Sequence, residues 1–189
     1  MTAGDIYTIA GNGTGSDTGA SGRLATSVGI LPLGLTVDAA GNVIFANLQS
    51  ARVRMVAAES GTFYGQRMLA GYSYTIAGNG GRTDSGDGGP AVQAGLVPWS
   101  VAVDPAGNVL VPDLGDLVRV VAARTGRYYG RAMTAGRIYL LAGGGTHGLG
   151  DGGPASRAEL AGPVGVAIAP SGAIYLDDSS RIRVIAPWR

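Results

Sequence analysis

The chain has 189 residues, with 14 basic and 13 acidic side chains and a net charge of +1, and the basic residues, all arginines, are spread along its length. That distribution lacks the concentrated basic face of a nucleic-acid binder, so no nucleic-acid partner is expected. Zero cysteines exclude disulfides, thiolate chemistry and cysteine-ligated zinc, while 34 glycines against 14% charged residues point to an all-β chain of short strands and tight turns.

At the N-terminus, Met1-Thr-Ala-Gly4-Asp-Ile-Tyr7 lacks the basic and long apolar regions of a signal peptide. No later stretch approaches the roughly 20 apolar residues that span a bilayer. The expectation is a soluble module with no membrane partner. The compartment stays open, and an exported parent protein fits equally well.

The first strand-like run is Ile6, Tyr7, Thr8, Ile9 and Ala10, and it recurs twice: Tyr7-Thr-Ile-Ala-Gly-Asn-Gly13 aligns with Tyr74-Thr-Ile-Ala-Gly-Asn-Gly80 and with Tyr139-Leu-Leu-Ala-Gly-Gly-Gly145. In the same register Asp38-Ala-Ala-Gly-Asn42 aligns with Asp104-Pro-Ala-Gly-Asn108 and Ala169-Pro-Ser-Gly-Ala173, so the chain repeats a unit of about 65 residues. Each unit holds four apolar runs of strand length. In the middle unit they cover residues 100–103, 109–112, 118–122 and 138–142, and the Asp-Pro-Ala-Gly-Asn segment closes the first hairpin with proline and glycine in their turn roles.

The third run of each unit, Arg52-Val-Arg54-Met-Val56, Val118-Arg119-Val-Val121 and Arg181-Ile-Arg183-Val-Ile185, alternates as a strand with one packed face, which puts its arginines on the wetter face or an edge. Two units then carry an extended hairpin, Glu59 to Met68 and Arg124 to Met133, with paired aromatics suited either to a protein contact or to packing on one another. The loops 12–31, 79–97 and 144–162 are too long for simple turns and too glycine-rich to be core. Pro90 and Pro154 there suit the start of a single helical turn.

The pattern Asp87-Gly-Gly-Pro-Ala91, Ala94, Leu96, Pro98, Ser100-Val-Ala-Val-Asp104, Gly107-Asn108-Val109 and Val118-Arg119-Val120 resembles the NHL repeat, and it recurs from Asp151-Gly-Gly-Pro-Ala155 to Arg183. The first copy departs from it, with Asp17-Thr-Gly-Ala-Ser21 in place of the proline motif. The resemblance implies a β-propeller of four-stranded blades, commonly six, which often serves as a binding platform.

On that reading residues 1–189 form one propeller module. Residues 11–77 are the first blade, 78–142 the second, and 143–189 a third without its fourth strand, while residues 1–10 supply a displaced fourth strand. A propeller closes when one terminus completes the blade built from the other, and propellers run to roughly 4 to 8 blades. The expectation is therefore a homodimeric six-bladed ring in which residues 6–10 of each copy pair beside Ile182 and Val184 of the other. A half-propeller excised or engineered from a longer protein fits the same pattern.

The candidate binding residues lie on the long-loop face. They are Trp99 at the start of an innermost strand, as a stacking surface or as core; Asp113, Asp116, Asp177 and Asp178 in the second-to-third strand loops; and His147, the one histidine. Asp84 and Asp87 raise calcium, against a simpler role in capping turn N–H groups. No cofactor is expected. A single histidine makes neither a metal site nor a nucleophile relay, so catalysis is not expected either. The functional reading is a non-catalytic scaffold that presents its loop face to a protein or ligand. The alternatives are a lectin-like or small-molecule binder at the central mouth and, behind it, a propeller lyase or hydrolase.

Overall fold

The computed structural model describes residues 1–188. The chain begins with a short strand β1 (Arg23–Leu24) and a 3-10 turn η1 (Ala25–Ser27), then builds a first sheet from β2 (Pro32–Val37), β3 (Val43–Asn47) and β4 (Arg52–Val56). A two-stranded ribbon, β5 (Gly61–Phe63) and β6 (Gln66–Met68), precedes its outer strand β7 (Tyr72–Ala77). The second sheet follows η2 (Ala91–Gln93) and repeats the pattern with β8 (Ala102–Val103), β9 (Val109–Asp113), β10 (Leu117–Val121), the ribbon β11 (Gly126–Tyr128) and β12 (Arg131–Met133), and β13 (Ile138–Gly143). The third sheet follows η3 (Ala155–Arg157) and contains β14 (Val166–Ile168), β15 (Ile174–Asp178) and β16 (Arg181–Ile185).

Apart from β1, the strands of each sheet form an antiparallel meander in chain order, and β8 lies against both β2 and β14, so β2, β8 and β14 face a common centre. The fold is all-β and propeller-like. No helix among the described residues is long and apolar enough to cross a membrane. The first sheet differs from the expected four strands, because β1 adds a two-residue fifth strand outside β7. The innermost strand of the middle unit is also shorter than expected. Proline has no N–H to give a ladder, and Pro98 meets Asp113 only as an isolated bridge, so regular pairing is confined to Ala102 and Val103.

Local chemistry explains the first hairpins. Asp38 Oδ1 accepts the Ala40 and Asn42 N–H groups while Gly41 takes φ +80°, and the buried Asn42 accepts from Ala58 N–H across to the end of β4. Asp104, Gly107 and Asn108 repeat the device with Ala106 and Ala123. The third copy has alanines at both polar positions and keeps the turn chiefly through backbone, Ala169 N–H to Ala173 O and Gly172 N–H to Ala169 O, with Ala173 N–H also donating to the Ser171 hydroxyl at 3.4 Å.

Strand registers divide each sheet into two apolar faces. In the first sheet Ile44, Met55 and Tyr74 share a face that packs against Val109, Val111, Val121 and Ile138 of the second. The other face of the second sheet, Leu110, Val120 and Tyr139, packs against Ile174 and Leu176 of the third. The ribbons tie units together as well: Tyr64, at φ +49°, donates its hydroxyl to Gly107 O of the next unit, and Tyr129 donates to Asp104 and meets Trp188 edge-on at 5.0 Å. The hairpin aromatics therefore pack within the chain. Burial pushes both phenol pKa values well above the ordinary range.

Candidate functional site

The arginines at the middle of the third strands are not on a wet face. Arg54 and Arg119 are fully buried, and this corrects the alternation reading. The loop ahead of each sheet folds back over that sheet's third strand and brings an aspartate to the guanidinium. Arg54 Nη1 meets Asp17 at 3.1 Å, Arg119 donates from Nε and Nη2 to Asp87 Oδ1 at 3.0 and 2.9 Å, and Arg183 Nη2 meets Asp151 at 2.8 Å. Loop carbonyls take further donors, Ala20 O from Arg54, Gly95 O and Ser85 O from Arg119, and Leu149 O and Glu159 O from Arg183. Buried guanidinium is tolerable only when paired and hydrogen-bonded in this way.

The last residue of each second strand completes the cluster. Asn47 accepts from Leu31 N–H and donates to Asp17, Asp113 accepts from Val97 N–H at 2.7 Å, and Asp178 accepts from Ala161 N–H at 2.5 Å. Asp113 and Asp178 are buried rather than lining a mouth, because each clamps the chain entering its own first strand. Asp87 is engaged through Oδ1 by Arg119. Asp84 is exposed, and the described residues contain no group of three or more His, Asp or Glu placed to hold a metal ion.

The other candidates are scattered. Asp116 accepts from Gly162 N–H at 2.6 Å, and Asp177 accepts from both Val164 and Gly165 N–H at 2.6 Å, so these carboxylates also fasten loop backbone. His147 is exposed in its loop. Trp99 is half-buried and its backbone N–H donates to Pro112 O at 3.1 Å. The structure brings Asp113 and Asp87 together around Arg119, and Asp178 and Asp151 around Arg183. The arginine pairing was missed in the sequence, although a loop aspartate stands 32 residues before the arginine in both the second and third units.

Desolvation raises the Asp113 carboxyl above its ordinary value near 3.8, the attraction of Arg119 notwithstanding, and Oδ2 has no hydrogen-bond partner. The folded state then holds this proton more tightly than the unfolded chain, so ionisation costs stability as pH rises from the unfolded value through the folded one. Arg119 already has Asp87, and the first unit uses the neutral Asn47 at this position. Asp113→Asn is therefore expected to be at least as stable as the parent at pH 7. In denaturant titrations its advantage should grow between acidic pH and neutrality. A variant less stable at pH 7 than at pH 4, relative to the parent, would reverse the assignment.

Two sheet faces have no sheet against them among the described residues. On the first sheet these are Leu35 and Val37, 61% and 57% exposed; on the third, Tyr175, Ile182 and Val184, the last two 75% and 57% exposed. Registers assign the first pair to the face opposite Ile44 and the second group to the face opposite Leu176. Residues 4–10 are likewise exposed and unpaired for most of their length, with Ile6 98% exposed.

No protein-family model matches this chain, and no curated protein matches it. Among solved structures it is similar to that of a streptogramin B lyase, at 12% identity and a TM-score of 0.45, over 87% of this chain and 46% of that one. The chain thus spans less than half the length of the lyase, and the lyase activity is that protein's own.

Proposed function

We propose that the chain is a non-catalytic propeller scaffold of the NHL type, two copies of which close a six-bladed ring that presents its loop face for binding. One observation carries the reading: the two uncovered faces are the two halves of a contact already made twice inside the chain. The first sheet's Ile44 face receives the second sheet, and the second sheet's Leu110 face receives the third. The third sheet's Tyr175 and Ile182 face is of the same receiving type as the Ile44 and Leu110 faces, and the first sheet's Leu35 and Val37 face is of the type that those faces receive.

Joining them head to tail around a twofold axis uses each face and leaves no open one, whereas clustered exposed apolar surface is costly to leave in water. The buried polar groups support a scaffold rather than an enzyme, because the aspartates at the predicted mouth are engaged with arginine or with backbone N–H groups. Light scattering is expected to give a mass of twice 18.9 kDa. Val37→Asp should reduce this to the single-chain mass while keeping the β circular-dichroism signal, since Val37 is exposed in one chain. A single-chain mass for the parent at micromolar concentration would refute the ring.

A further inference from the structure

We propose that the groove beside β16 is a strand slot that takes residues 4–10 of a second copy, in the register held by β7 and β13 in the first two sheets. This rests on the ring reading and specifies how its seam is made.

The slot has two walls. A groove of about 590 Å³ runs between β16 and the segment Gly152, Gly153 and Ala155, with Leu176 and Arg183 also lining it. In the second sheet the matching space holds β13, which pairs with β10 on one side and with the corresponding loop on the other: Gly88 N–H to Ile138 O, Ile138 N–H to Gly89 O, and Ala91 N–H to Gly136 O. Gly152, Gly153 and Ala155 are the third unit's copies of Gly88, Gly89 and Ala91. In the first sheet Gly22 and Ala25 N–H groups grip β7 through Ser73 O and Gly71 O in the same way. The outer edge of β16 has no partner strand among the described residues.

The donor is already shaped for the slot. Asp5 N–H donates to Thr2 O and Thr2 N–H to the Tyr7 hydroxyl at 2.9 Å, reproducing the turn into β7, with Tyr72 to Leu69 and Leu69 to Tyr74, and the turn into β13, with Arg137 to Thr134 and Thr134 to Tyr139. Its far end is anchored as β7 is, with Gly11 N–H to Ala25 O and Asn12 N–H to Val28 O matching Gly78 to Ala91 and Asn79 to Ala94. The segment thus keeps fourth-strand geometry at both ends with no sheet against it. Such preorganisation lowers the ordering cost of strand addition, in which main-chain bonds supply affinity and alternate side chains the specificity.

Transferring the pairs Val121 with Ile138, Val120 with Tyr139 and Arg119 with Leu140 sets Ile6 opposite Ile185, Tyr7 opposite Val184 and Thr8 opposite Arg183. It also covers Arg183, whose side chain is 13% exposed where those of Arg54 and Arg119 are 0%.

The chain has no cysteine, so paired substitutions report the register directly. Ile6→Cys with Ile185→Cys, and separately Tyr7→Cys with Val184→Cys, are expected to give two-chain disulfide species on oxidation, roughly tenfold above the out-of-register control Ile6→Cys with Arg181→Cys. Two pairs are used because adjacent cross-strand pairs alternate between close and wide spacing, and because one variant alone could fold poorly. A two-chain mass without in-register cross-linking overturns the strand slot and leaves the ring standing. A single-chain mass without cross-linking overturns both. Cross-linking within one chain overturns the second copy as occupant.

Discussion

Replacing Arg119 by alanine is expected to lower the free energy of unfolding by about 3–5 kcal/mol. Truncation removes a fully buried guanidinium and strands Asp113, which is also fully buried, and the carbonyls of Gly95 and Ser85 that it bonded. It also releases Asp87, and with it the loop between the first two sheets, whose Ala91, Ala94 and Leu96 belong to the main core. Arg54→Ala should behave similarly through Asp17 and Ala20. Arg67, exposed on a ribbon, is the control, and its alanine variant should stay within about 0.5 kcal/mol of the parent. Chemical denaturation with an unchanged m-value decides the matter. A loss under about 1 kcal/mol at Arg119, or equal losses at Arg119 and Arg67, would mean that the buried pair does not seat the loop.

Gly78→Ala should cost about 3 kcal/mol or more, since two penalties combine there. Gly78 has φ +93°, and an added Cβ would lie 2.3 Å from Ala51 O and 2.9 Å from Arg52 Cα, both backbone atoms that cannot swing aside. Gly143 repeats the contact against Asp116 O at 2.3 Å. Gly71 separates the two penalties: it has φ +78° with nothing within 4 Å of an added Cβ, so Gly71→Ala should cost only the left-handed backbone term, about 1 kcal/mol. Thermal melts of the two variants provide the comparison, and equal losses would show that close approach is not what selects glycine at the exits of β7 and β13.

The same glycines mark how far the sequence could be read. The Ala-Gly-Asn-Gly and Asp-x-x-Gly-Asn segments repeat because a sharp exit and a tight hairpin each need particular residues within five positions, so the unit and its strands were visible in one dimension. Strand ends were less so: β2 begins at Pro32 and shifts register against β3 between Pro32 and Leu35, and Pro98 meets the second strand only as an isolated bridge ahead of β8. Asp17 shows the same limit from the other side. Its surroundings lack the proline motif of Asp87, yet it takes the same place opposite the arginine, because what matters is where the loop delivers the carboxylate.

The candidate site was the least legible part. Exposed acidic turns and buried acidic clamps have the same local sequence, and an arginine alternating with valine reads as a solvent-facing residue unless the loop that covers it is known. Pattern and turn chemistry within a few residues therefore determined the all-β repeat, the four-run unit and the extra ribbons. Only the tertiary structure decided that Arg54 and Arg119 are buried, that Asp113 and Asp178 clamp backbone, and that the first and third sheets present opposite types of uncovered apolar face, because burial depends on which distant segment folds over a residue.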